Sequence, residues 1–453
     1  MTVRIGIHFL RHRLLRAAEK YGGQAAYSSV FRCSRGFDAI GAAPTGRDGG
    51  EDTTFEDTAL EDTAFEIWDE HETADEFVGR VDVLVGIPDI RLMNARARAR
   101  HRPPYLALVM GDATRAVPWR AAFMRQFQSN DTLVCSCSAD RDILRMFLDT
   151  PWQSSVDVAP MPTELEGIAP TGQAPTVVAE ALAGVDPRRP IILSAERMNS
   201  EKGIHHVIPL VAYLRDHGHD PMVVFLNGGA DAAKTAYQAE LEAQLAATRL
   251  TDSAVFLPFL PTHEVAAAYA RAALVTSAST IYDNNFGYIP IEAQATSTPP
   301  IVTDWGGYRD SVLDGKTGLF MPTTLQTDGS VRVDWLPAAR AAADVLSDPE
   351  RYDRMARAGR QHVQDRFSIQ AARRIYSELA VTALERNIDA APPWRINELG
   401  QTAIDVGWTD QTDTPDRTGR RAWRASHHSA DHAALHQLIY GKYATCSEGS
   451  DPP

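Results

Sequence analysis

The chain has 453 residues and a formal net charge of −14. That length calls for two or three domains, and that charge argues against general affinity for nucleic acid. Hydrophobic residues make up 44% of it, ordinary for a globular protein, and no window approaches the roughly 18 apolar residues of a membrane span.

The amino-terminal segment MTVRIGIHFLRHRLLRAAEK lacks the apolar core and small-residue cleavage site of a secretory signal and reads as a strand over Val3–Phe9 followed by an amphipathic run. Between Arg47 and Arg80 there is no lysine or arginine, and Glu51–Phe65 consists of three acidic pentapeptides, EDTTF, EDTAL and EDTAF. A period of five fits neither a helical face nor strand alternation, so a solvated acidic loop is expected. The sharper alternative is an acidic lip that draws in a cationic substrate or partner. Strands are expected at Val81–Pro88, Pro104–Asp112, Asp131–Ser138 and Ser154–Pro162, with a helix over ADRDILRMFL after the third of these. A stretch rich in Pro, Gly and Ala, from Ile168 to Pro190, reads as a connector. Four cysteines, Cys33, Cys135, Cys137 and Cys446, make neither a disulfide framework nor a zinc site, which points to a reducing, cytoplasmic location.

The pattern then restarts. Strands are expected at Pro190–Arg197, Met222–Gly229, AVFLPFL, ALVTSAS and PPIVTDWGG, alternating with helices, and a long helical tail spans Pro349–Arg386. Continuous apolar strands flanked by amphipathic helices imply parallel sheets covered on both faces. The expected fold is α/β, with two doubly wound, Rossmann-like parallel-sheet domains facing a cleft. Residues 1–168 form the amino-terminal domain with an acidic insert at 48–79, residues 169–189 the linker, 190–386 the second domain, and 387–453 an extension. In that extension His428, His432 and His436 fall four apart, one helical face. They read more readily as a polar docked helix than as a metal site, and no metal is assigned.

In doubly wound sheets ligands bind beyond the carboxyl ends of the strands. SAERMNSEKG follows a strand and carries Arg197 and Lys202. Alone the pair reads as two solvated cations, but at a strand end, in a chain with five lysines, it suits a diphosphate. In YDNNFGYIPIEA, Pro290 is a favourable first helical residue, which sets Glu292 in the first turn, where the helix dipole supports its charge. Glu292 there serves either helix stability alone or vicinal hydroxyls such as those of a ribose. Gly287, and the pair Gly306–Gly307 in DWGGYRD, permit close backbone approach to a phosphate or sugar.

In order and spacing these loops resemble retaining nucleotide-sugar glycosyltransferases of family 4, which have the GT-B architecture. Arg197, Lys202 and Gly203 match that family's Arg-x4-Lys-Gly; Phe286, Gly287, Glu292 and Ala293 match its Glu-x-Phe-Gly-x-x-x-x-Glu-Ala; Gly306–Gly307 match its Gly-Gly loop. The resemblance is specific over Pro190–Arg386 and looser before it, where Gly22 and Gly23 in YGGQAAY resemble an early Gly-Gly loop.

The resemblance implies transfer of a hexose from a nucleotide-diphosphate sugar to an unknown acceptor with retention of configuration, without a metal or other cofactor. Arg197 and Lys202 would stabilise the leaving diphosphate, Glu292 would hold the ribose, the amides of Phe286, Gly287 and Tyr288 would meet phosphate or sugar, and Phe259 and Leu260 would border the base. Two departures stand out. The family's first glutamate falls at Asn284, beside Asp283, where the transferred sugar is contacted; its amino-terminal histidine has no match, and Asp112 is the candidate in its place or else a turn cap. A non-catalytic sugar-nucleotide-binding partner of the same fold, and a nucleotide-sugar epimerase or phosphorylase-like enzyme, are the alternatives.

Overall fold

The structure is a computed structural model and describes residues 2–8, 29–42, 63–69, 71–110, 121–168, 177–226, 232–281, 285–326, 330–386 and 394–409. These fall into two compact units, one reaching to Glu164 and resuming at Arg366, the other Leu165–Asp365.

The first unit is built on β1 (Val3–His8), β2 (Thr63–Ile67), β3 (Val83–Gly86), β4 (Tyr105–Val109), β5 (Thr132–Cys135) and β6 (Val156–Val158). Their order is β2-β1-β3-β4-β5-β6, and every pairing is parallel. β3, β4 and β5 are buried at every residue, as strands must be when helices cover both sheet faces. The Arg96–Asp131 ion pair joins the helix Ile90–Arg98 to the start of β5 at 2.6 Å, with both side chains 1% exposed. Asp131 also accepts the Tyr105 amide of β4 at 2.8 Å, so its charge is both paired and hydrogen-bonded, as burial demands.

The solvated loop expected over the acidic repeats ends at Thr63. The third pentapeptide enters β2, which pairs with β1 from Val3↔Thr63 to Ile7↔Ile67. Thr63 and Phe65 are buried, so alternation of β-formers beside an open strand edge outweighs the local acidity. The first two repeats lie outside the described residues.

The second unit holds β7 (Ile191–Ser194), β8 (Met222–Phe225), β9 (Ala254–Phe256), β10 (Leu274–Ser277), β11 (Pro300–Thr303) and β12 (Leu319–Met321). Their order is β12-β11-β10-β7-β8-β9, again parallel throughout. From β7 the chain steps outward through β8 and β9, then returns to the other side of β7 for β10, β11 and β12. The order reverses between β7 and β10, and the carboxyl ends of those strands flank the crevice where this topology binds ligands. A small antiparallel hairpin, β13 (Thr323–Leu325) with β14 (Val331–Val333), follows.

The long helical tail expected over Pro349–Arg386 consists of two helices, Pro349–Phe367 and Ile369–Glu385. Ser368 separates them because its hydroxyl caps the second, accepting the Ala371 amide at 3.1 Å. That second helix belongs to the first unit, where Tyr376 meets Phe37 edge-on at 5.5 Å and Ser377 hydrogen-bonds Thr63 at 2.8 Å. Among the described residues no helix is long and apolar enough to cross a membrane.

Candidate functional site

The loop after β7 is anchored by Met198, 1% exposed within the core. It tightens into a 3-10 turn at Ser200–Lys202 and reverses at Gly203, whose φ of 62° is left-handed. A Cβ there would lie 2.2 Å from the Ala278 carbonyl oxygen, so glycine lets this loop close onto the end of β10. The closure separates the two expected cations in character: Arg197 is exposed, whereas Lys202 is buried.

The Lys202 ammonium meets a partner that sequence reasoning did not single out. Its Nζ lies 3.7 Å from Glu196 Oε2, and the two side chains are 11% and 5% exposed. The other carboxylate oxygen, Oε1, accepts from the Ser277 hydroxyl; the Tyr308 hydroxyl lies 3.2 Å from the same oxygen and beside the Ser277 hydroxyl, so its one proton serves either contact. Ser277 ends β10, and Tyr308 opens the short helix Tyr308–Ser311 after the Gly306–Gly307 loop. The loop after β7, the end of β10 and the helix after β11 therefore converge on one carboxylate. The single cue in the sequence was an acid next to Arg197 at a strand end.

The glycines have a structural cause as well. A Cβ on Gly287, whose φ is 71°, would lie 2.4 Å from the Tyr308 ring, and one on Gly307 would lie 2.4 Å from the Asn285 carbonyl oxygen. At both positions the neighbouring loop takes the space a side chain would need. The Trp305 indole ties the two loops further, donating to the Ile281 carbonyl at 3.2 Å.

The helix carrying Glu292 begins at Tyr288 and runs to Ala295, two residues before the expected start at Pro290. Pro290 is thus the third helical residue, still among those whose amides have no partner within the helix, and Glu292 falls in the second turn. Dipole stabilisation in the first turn gives way to burial and hydrogen bonding: Glu292 is 6% exposed, and its Oε2 accepts from the Tyr269 hydroxyl at 3.0 Å. Phe286 and Tyr288, both buried, pack edge to face with centroids 4.9 Å apart. After β9, Phe259 is 36% exposed while Leu260 is held in the core. Just beyond Gly203, the His205 and His206 rings meet at a tilt of 45° with centroids 4.0 Å apart, and burial pushes the His206 imidazole down to about 4.

Arg197, Lys202, Phe286, Gly287, Tyr288 and Glu292 all stand on the loops and helices that follow β7 and β10, and the Gly306–Gly307 loop follows β11. Gly22, Gly23, Asp112, Asp283, Asn284 and the three tail histidines lie outside the described residues. Among the described residues no group of three His, Cys, Asp or Glu side chains could hold a metal ion.

The sequence profile described as Glycosyl transferases group 1 matches residues 181–362. A D-inositol 3-phosphate glycosyltransferase of Nocardia farcinica is 29% identical over 254 residues, 55% of this chain and 52% of that protein. A 2-deoxystreptamine glucosyltransferase of Streptomyces kanamyceticus is 31% identical over 183 residues, 40% of this chain and 43% of that protein. The chain spans about half the length of the curated relatives it matches. Among solved structures, a glycosyltransferase from Rickettsia africae superimposes with a TM-score of 0.54 at 14% identity, covering 85% of this chain and all of that one. The two six-stranded parallel sheets have the GT-B fold, and residues 181–362 are a glycosyl transferases group 1 domain.

Proposed function

We propose that the chain is a retaining hexosyltransferase that uses a nucleotide-diphosphate sugar. The observation that carries this reading is the pair Arg197 and Lys202 on the loop after β7, with Lys202 held buried at the β7–β10 crossover by Glu196. In the reaction the sugar C1–oxygen bond to the diphosphate breaks, an acceptor hydroxyl oxygen bonds to C1 on the same face, and the hydroxyl proton leaves with the diphosphate. The charge that builds on the leaving phosphate is what two fixed cations stabilise. No metal is needed for that role, because Arg197 and Lys202 supply the positive charge.

Glu292 would hold the ribose hydroxyls, since a buried carboxylate on a rigid helix accepts hydrogen bonds well. Phe259 and Leu260 would border the base, and the amides of Phe286, Gly287 and Tyr288 would meet phosphate or sugar. Asp283 and Asn284 would contact the transferred sugar; Gly22, Gly23 and Asp112 would serve the acceptor. Similarity to a D-inositol 3-phosphate glycosyltransferase and a 2-deoxystreptamine glucosyltransferase supports an acceptor hydroxyl on a polyol ring.

The test is thermal unfolding with UDP-, GDP-, ADP- and dTDP-linked sugars. A ligand that binds the native state raises the melting temperature by about RT ln(1 + [L]/Kd) in stability. A rise with one nucleotide family, followed by NMR of a product with unchanged anomeric configuration, is expected. No rise with any of them removes the donor assignment. Because Asn284 stands where the resemblance calls for an acid, a donor that binds but is never transferred would favour the non-catalytic reading.

A further inference from the structure

The proposed chemistry asks for positive charge beside the diphosphate, yet the Lys202 ammonium lies 3.7 Å from an acid, Glu196. Glu196 is no mobile surface carboxylate. Its side chain is 5% exposed, and hydroxyls from Ser277 and Tyr308, each 1% exposed, hold its Oε1. Tyr308 is fixed in turn by its ring, which occupies the space beside Gly287. The carboxylate therefore stays in place whatever Lys202 does, whereas the lysine keeps three donors on a four-carbon stem and can face two anions.

An ammonium this deeply buried is costly without a partner. Glu196 supplies one while the site is empty. When a diphosphate arrives it meets Lys202 already paired, with a fixed negative charge behind it, and like charges this close in a poorly screened site oppose binding. We infer that Glu196 is an internal counter-ion for Lys202: a positioning residue that balances the ammonium between turnovers and limits how tightly the nucleoside diphosphate is held, so that this product leaves. The inference rests on the reading of Lys202 as a diphosphate ligand.

Glu196→Gln tests it. Glutamine keeps a carbonyl oxygen for the hydroxyls and nearly the same shape, removes the charge, and sets an amide NH2 where Oε2 faced the ammonium. Wild type and variant are titrated by calorimetry with UDP, GDP, ADP and dTDP. For the nucleotide that wild type binds, the Kd of Glu196→Gln is expected to fall about fivefold or more, with a steeper dependence on salt. The melting-temperature rise on adding that nucleotide should exceed that of wild type, because the ligand then relieves an unpaired ammonium. A merely structural role would lower the melting temperature and leave these differences unmoved. A Kd that is unchanged or higher overturns the counter-ion role while leaving the donor site standing. If wild type binds none of the four, the donor site and the counter-ion fall together. Should Glu196→Gln fail to fold, Glu196→Asp withdraws the charge by one methylene; its Kd is expected to fall about twofold, and an unchanged or higher Kd overturns the inference.

Discussion

The first unit has its own crossover point, between β1 and β3, and the residue that ends β1 there is His8. It is 6% exposed. The Tyr105 hydroxyl bonds its Nε2, the Tyr105 and Trp68 rings meet it edge-on at 5.3 and 6.4 Å, and a Cβ on Gly86 would fall 2.6 Å from its ring atoms. Burial pushes the imidazole from its ordinary 6.5 down to about 4, with Arg91 adding to the fall and the Asp89 carboxylate opposing it. The folded form therefore keeps His8 neutral where the unfolded chain would protonate it.

Between pH 6.5 and about 4 the unfolded state binds the extra proton, so stability falls as pH falls. A tenfold change in proton binding is worth about 1.4 kcal/mol, so the loss at pH 4.5 relative to pH 7.5 comes to about 2.5 kcal/mol. Urea unfolding of wild type and His8→Phe at the two pH values isolates it, because carboxylates that titrate in the same range are common to both proteins and cancel. At pH 7.5 the variant should be the less stable, having left the Tyr105 hydroxyl only its long bonds to the Ile87 carbonyl and the Asp89 amide. At pH 4.5 that deficit should shrink or reverse by about 2.5 kcal/mol. Parallel pH profiles for the two proteins would refute the claim that His8 is held neutral.

Three further outcomes are expected. Asp131→Asn leaves the buried Arg96 guanidinium unpaired and should cost about 3–5 kcal/mol of stability in urea unfolding; a loss below about 1 kcal/mol would contradict the role given to this pair. Gly203→Ala must bear the left-handed backbone, about 1–2 kcal/mol, and a Cβ driven onto the Ala278 carbonyl, so it should also lose nucleotide binding through displacement of Lys202, and unaltered binding would separate the loop from the site. Glu292→Ala should bind a ribonucleotide and its deoxyribose counterpart about equally, where wild type prefers the ribonucleotide by about tenfold or more; a preference that survives the substitution would remove Glu292 from the ribose.

Much of the sheet architecture was legible because parallel strands covered on both faces appear as unbroken apolar runs, as in Tyr105–Val109. β2 was hidden by the acids around Thr63–Ile67; β12, β13 and β14 are three residues each, as are β6 and β9, which the longer segments Ser154–Pro162 and AVFLPFL around them betray. The break at Ser368 within the helical tail is set by its hydrogen bond to the Ala371 amide rather than by its own propensity.

The site divided along the same line. Arg197, Lys202 and Glu292 were visible because local spacing carries the signal, for the first two in the segment after β7 and for the third in the helix Tyr288–Ala295. Glu196, Ser277 and Tyr308 were not, because their meeting depends on the β7–β10–β11 order, which brings together residues 81 and 31 positions apart. Glycine was read as room for a ligand at Gly287 and Gly307. The structure fills that room with Tyr308 and with the Asn285 backbone, which only the folded chain could reveal.

The central claim is that the carboxyl ends of β7 and β10 form a nucleotide-sugar site centred on Lys202. Calorimetric titration of wild type and Lys202→Ala with the nucleotide sugar selected by thermal shift tests it most directly. One molecule should bind per wild-type chain, and binding should weaken by about a hundredfold in the variant, the loss of one charge-assisted contact to phosphate; the variant's own melting temperature should fall, because Glu196 loses its ion pair with Lys202, and a cooperative unfolding transition shows that the variant is folded. Equal affinity in the two proteins would contradict it.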